Sequence, residues 1–130
     1  MDEIQKEIAN IEKSIVKFFN EQNIKEIMKF FSKDFVGFSS TKHERVPNLT
    51  QLKKTFLHYL DEGDKVIYEI QNIKVKIYGE AALSTFYWTV ELKKGKRKPK
   101  LISGRGSHVY LMIDMETGWS IVHEHYSKAH

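Results

Sequence analysis

The sequence predicts an α+β fold in a single domain, residues 1–130, and three observations carry that expectation. Apolar residues recur at helical spacing up to about Leu60, and from Asp64 onward the period changes to two. The second half is rich in Val, Ile, Thr, Tyr, Phe and Trp, which suit a pleated, half-buried surface. The closing stretch, Lys100 to His130, reads as two alternating runs around a Glu116-Thr117-Gly118 turn, a long β-hairpin signal. The expected order is helix, helix, strand, helix and then four long antiparallel strands. A bent sheet with the helices on its concave side is the economical packing.

Each element has its own warrant. Ile4, Ile8, Ile11, Ile15 and Phe18/Phe19 fall at alternating spacings of four and three, which only a helix gathers into one stripe. Asn23 followed by Glu26 has the form of a capping box and predicts a short second helix with Ile24, Ile27, Met28 and Phe31 inward. Phe35 to Ser39 reads as a short strand. Pro47 and a cap at Asn48 or Thr50 open a third helix, with Leu49, Leu52, Phe56 and Tyr59/Leu60 buried and Gly63 at its end. In the first long strand Val66, Tyr68 and Ile70 share one phase, while Ile73, Val75 and Ile77 share the other. That flip near Gln71-Asn72 predicts a β-bulge. Gly79-Glu80 turns the chain into a strand from Ala81 to Leu92.

Composition narrows the function classes. Apolar residues make up 41% and charged residues 29%, as in ordinary globular proteins. There is no apolar run of about 18 residues, the length a membrane span requires. The start, Met1-Asp2-Glu3-Ile4, is acidic and amphipathic, unlike a secretory signal, so a cytoplasmic location is expected. The absence of cysteine excludes thiolate chemistry and a disulfide framework. The net charge of +4 is a local matter, because Lys93 to Lys100 contributes six positive charges and the remainder is acidic. That segment carries no stacking aromatics. It reads as a solvated hairpin tip rather than a nucleic-acid site.

Parity divides the closing hairpin into two faces. Odd positions carry Arg105, Ser107, Val109, Leu111, Ile113, Trp119, Ile121, His123 and His125. Even positions carry Gly104, Gly106, His108, Tyr110, Met112, Ser120, Val122, Glu124 and Tyr126. The element order, the segment Asn23 to Phe35, and the ending Gly104-Arg105-Gly106 … Gly118-Trp119-Ser120-Ile121-Val122-His123-Glu124-His125-Tyr126-Ser127 resemble SnoaL-like domains. These belong to the nuclear-transport-factor-2-like superfamily, with ketosteroid isomerases and the calmodulin-dependent kinase association domain. The resemblance implies a cone-shaped, curved antiparallel or mixed sheet with three N-terminal helices on its concave side, a pocket between them, and a homodimer. It also implies that the isomerase chemistry is missing. Ser39 stands for the general-base Asp, Ile15 for the oxyanion-binding Tyr and Gly106 for the protonated Asp, and none can perform those roles. The pocket arginines of the kinase association domain match Trp88 and His108, which weakens a carboxylate-binding analogy.

By the same resemblance the even face looks into the pocket and the odd face meets a second subunit. Phe86, Trp88, Tyr110, Val122 and Tyr126, with Phe38 of the first strand, are then the expected ligand-pocket residues. A planar or apolar small molecule is the expected partner. The competing reading is that these rings simply fill the cone, leaving a non-catalytic association module. His108 and Glu124 are the candidate catalytic pair. They have matching parity on neighbouring strands, and a carboxylate beside an imidazole orients its tautomer and raises its basicity. Tyr59 and Tyr87 on the rim are an alternative acid–base set. Arg105, His123 and His125 are expected at the interface. His123 and His125 share a strand face but lack a third ligand, so neither a metal nor another cofactor is expected.

Overall fold

The structure, a computed structural model, describes residues 2–129; Met1 and His130 lie outside the described residues. The helical spacing of the N-terminal stretch becomes α1, Glu3–Asn20. Asp2 caps it reciprocally: the Gln5 amide donates to the Asp2 carboxylate at 2.8 Å, and the Gln5 side chain accepts from the Asp2 amide at 3.0 Å. The buried stripe runs through Ile8, Glu12, Ile15 and Phe19, while Ile4 is exposed and Ile11 only half-buried. The helix is therefore rotated from the expected Ile4–Ile11 stripe, and a glutamate faces the interior.

The second helix, α2, is Ile24–Met28. The expected capping box is absent, because Asn23 makes no side-chain cap and Glu26 instead pairs with Lys29 at 3.0 Å. Phe31 belongs to β1, Phe31–Phe38, not to that helix. The third helix, α3, is Leu49–Asp61, and Asn48 caps it by accepting from the Gln51 amide at 3.0 Å. Gly63 does not end the helix through a left-handed turn. A side chain there would meet the Lys93 carbonyl at 2.9 Å, so glycine permits close approach of backbone to backbone.

Four long strands follow: β2 Lys65–Tyr78, β3 Ala81–Lys93, β4 Lys100–Asp114 and β5 Gly118–Lys128. The sheet order is β1-β5-β4-β3-β2, antiparallel except that β1 runs parallel to β5. The bulge expected in β2 lies between Gln71 and Lys74, with Asn72 at φ 56°. A second bulge was not expected. His123 pairs with Val109 but Ile121 pairs with Tyr110, which leaves Val122 without an opposite residue. Parity reverses there, so Trp119 and Ile121 join the inner face of Tyr110 and Met112 instead of the outer face of His123.

Polar side chains of α1 hold it against the inner side of the sheet. Asn20 donates to the Tyr68 carbonyl at 2.9 Å and accepts from the Tyr68 amide at 2.8 Å, and Gln5 donates to the Val75 carbonyl at 3.0 Å. These bonds satisfy backbone groups of β2, an edge strand. Further in, Trp88 and Phe86 lie over Gly104 and Gly106. A methyl group at either glycine would stand within 2.8 Å of the indole or the phenyl ring. The Trp88 indole N–H reaches across β4 to the Arg105 carbonyl at 3.1 Å. Among the described residues no helix is long and apolar enough to cross a membrane.

Candidate functional site

Opposite Glu12, the register of β4 and β5 brings His108 and Glu124 side by side. The three side chains form one line. His108 Nδ1 meets both Glu12 oxygens, at 2.9 and 2.8 Å, and Nε2 meets Glu124 Oε1 at 2.9 Å. They are 1% exposed for His108, 2% for Glu12 and 4% for Glu124. Phe31, Phe86, Tyr110 and Tyr126 surround the imidazole, with ring centroids 5.3 to 6.2 Å away. Burial alone would depress the basicity of His108. The Glu12 carboxylate at Nδ1, with Glu124 at Nε2, outweighs burial and raises the pKa to about 10. The ring is thus an imidazolium that donates from both nitrogens.

Glu124 is the member of this line that also meets a cavity. The cavity measures about 40 Å³ and opens between α3 and residues 39–40. Six aromatic side chains line it, Phe19, Phe56, Tyr59, Tyr68, Trp88 and Tyr126, with Ser39, Ser40, Thr55 and Val90 completing the wall. Tyr68 and Tyr126 share a hydroxyl–hydroxyl bond of 2.6 Å, and Tyr59 is bonded to Ser40 at 2.8 Å. Burial, with a contribution from the charges of Glu12 and Glu124, holds the phenols of Tyr68, Tyr110 and Tyr126 well above their usual range. His108 and Glu12 lie behind Glu124 and do not line the opening.

The expected site residues are distributed as follows. Trp88 and Tyr126 line the cavity; Phe86 and Tyr110 are buried around His108. Val122 is at the bulge and half-buried, away from the cavity wall. Phe38 packs on the opposite side of the sheet, its ring 6.4 Å from His123 and 5.6 Å from His125, with Arg45 over it. The parallel pairing of β1 with β5 places Phe38 beside His125, so neither Phe38 nor Val122 belongs with the pocket residues. His123 is bonded through Nδ1 to the Val36 carbonyl at 2.8 Å. Arg105 and His125 line an open hollow of about 350 Å³ on the outer face, together with Lys74 and Tyr87.

Sequence reasoning missed Glu12, Phe19, Phe56 and Tyr68 as site residues. For Glu12 a signal existed. It stands four residues after Ile8 and three before Ile15, on the apolar stripe itself, where a carboxylate requires a buried partner.

A profile of the SnoaL-like domain family matches residues 8–130. The chain belongs to the SnoaL-like domain family. Its fold is shared with solved structures of low sequence identity. One is a nuclear-transport-factor-2-like superfamily protein from Salmonella enterica serovar Typhimurium, 20% identical, covering 96% of this chain and 90% of that one, with a TM-score of 0.82. Another is the CaMKII hub of S. rosetta, 18% identical, covering 99% of each chain, with a TM-score of 0.83. A third, provisionally described as a scytalone dehydratase from Novosphingobium aromaticivorans, is 10% identical, covers 95% of this chain and 82% of that one, and has a TM-score of 0.79. No curated protein matches the sequence. At such identities the likeness concerns the fold, which hosts unrelated activities.

Proposed function

We propose that this SnoaL-like domain binds a small molecule with an apolar body in the aromatic cavity and anchors it on Glu124. The carrying observation is that Glu124 sits on the cavity wall with one oxygen held by His108, which is itself held by Glu12. A carboxylate fixed in this way keeps its orientation when solvent is displaced. Any proton transfer to or from a bound molecule runs through Glu124, with His108 and Glu12 as positioning residues. This reading makes no use of the ketosteroid isomerase set, because by the resemblance Ser39, Ile15 and Gly106 stand in its places. The cavity accommodates only a few atoms, so most of a larger ligand lies at the mouth, near Tyr59 and Ser40. The test is a ligand screen by thermal shift on the wild-type protein and on Glu124→Gln. Hits that stabilise the wild type and lose about 1–3 kcal/mol of binding in the variant are expected. Hits that bind both proteins equally would remove Glu124 from the site.

A second reading, self-association as a homodimer, draws on the outer face of the sheet. Tyr87, Leu101, Leu111 and Ile113 are exposed there, around the hollow that contains Arg105 and His125. Sedimentation equilibrium tests it: a monomer at all accessible concentrations is the outcome that removes it.

A further inference from the structure

The line Glu12–His108–Glu124 is not balanced in charge. One imidazolium faces two carboxyl side chains, and Glu12 commits both oxygens to it. Glu124 commits only Oε1; among the described residues Oε2 has no hydrogen-bond partner, although the residue is only 4% exposed. That oxygen is not sealed off, since the fully buried unpartnered side-chain atoms among the described residues are those of Ser84, Tyr110 and Trp119. Glu124 is the acidic residue of the cavity wall, so a donor entering the cavity would give it the partner it lacks. Among the described residues no Lys or Arg lines that cavity. Instead the wall consists of Phe19, Phe56, Tyr59, Tyr68, Trp88 and Tyr126. The faces of such rings attract cations, and strongly so where water is excluded. The raised phenols of Tyr68 and Tyr126, caused first by burial and then in part by the acidic pair, agree with a negative interior.

We infer that the ligand of this cavity is a protonated primary or secondary alkylamine, its N–H donating to the free oxygen of Glu124 and its alkyl chain leaving between α3 and Ser40. The inference rests on the binding function proposed above and assigns the ligand class to that same site. An ammonium supplies both things the pocket lacks, a hydrogen-bond donor for Oε2 and a positive charge for the unbalanced line. A neutral alcohol supplies only the donor. A carboxylate would place like charge against Glu124.

Three probes of equal length separate these cases: butylammonium, butanol and butyrate, titrated at neutral pH while the indole N–H resonance of Trp88 is followed. Butylammonium is expected to shift that resonance and to bind about tenfold or more tightly than butanol, with no shift from butyrate. In Glu124→Gln the preference for the amine over the alcohol should vanish. Tyr59→Leu, at the mouth, should weaken the amine several-fold more than it weakens butanol. Equal or tighter binding of butanol would overturn the amine assignment and leave the binding function standing. Tighter binding of butyrate would overturn it in favour of His108 as the governing charge. Silence from all three probes would remove both the assignment and the pocket function.

Discussion

At the scale of single residues, the behaviour of the protein turns on His108 and its two carboxyl partners. Because the folded pKa of His108 is raised to about 10, the folded chain holds a proton that the unfolded chain releases above the ordinary histidine value. Stability from this source is complete below about pH 6.5 and declines as pH rises toward 10, on the order of a few kcal/mol in total. Urea midpoints measured between pH 6 and 10 should fall along that course, and His108→Gln should flatten it. Glu12→Ala leaves the buried imidazolium with one partner and should cost about 3–5 kcal/mol. Equilibrium denaturation of the folded variant checks this, and a loss under about 1 kcal/mol would mean that Glu124 alone can hold the ring.

Among the elements, the clamp between α1 and β2 lends itself to a direct test. Asn20→Ala removes both bonds to the Tyr68 backbone and should destabilise by about 1–2 kcal/mol. Amide exchange should rise first at Tyr68 and its neighbours in β2, where the edge loses its cover. Local pattern predicted several of these elements well. The four-and-three spacing foretold α1 and α3, and the flip at Gln71-Asn72 foretold the β2 bulge because apolar residues change phase across it. Two features left no such trace. At Val122 the bulge falls among consecutive apolar residues, Ile121 and Val122, so no phase change is visible. The parallel partnership of β1 with β5 joins residues far apart in the chain, which neither turn chemistry nor periodicity encodes. Glu12 was half legible: its place on the stripe of Ile8 and Ile15 called for a buried partner, but that partner, His108, is 96 positions away and nothing local names it.

For the whole molecule, the two faces of the sheet make opposite demands. The inner face is occupied by its own side chains, while the outer face leaves apolar and cationic groups uncovered. If two copies meet there, the positive charges of Arg105 and Lys74 approach their counterparts. Self-association should therefore strengthen as added salt screens them, and sedimentation at low and high salt measures it. An association constant independent of salt would place the contact elsewhere. The inner face has a different consequence. Trp88 and Phe86 rest on Gly104 and Gly106, so the room inside is regulated by rings laid over bare backbone rather than by the course of the strands. Shortening Trp88 would enlarge the interior without redirecting any element, and a side chain at position 104 or 106 would compete with the rings for that space. Capacity for a guest is thus set at a few positions that mutate independently of the scaffold, which gives an evolving lineage, or an engineer, a way to change what fits without rebuilding the fold.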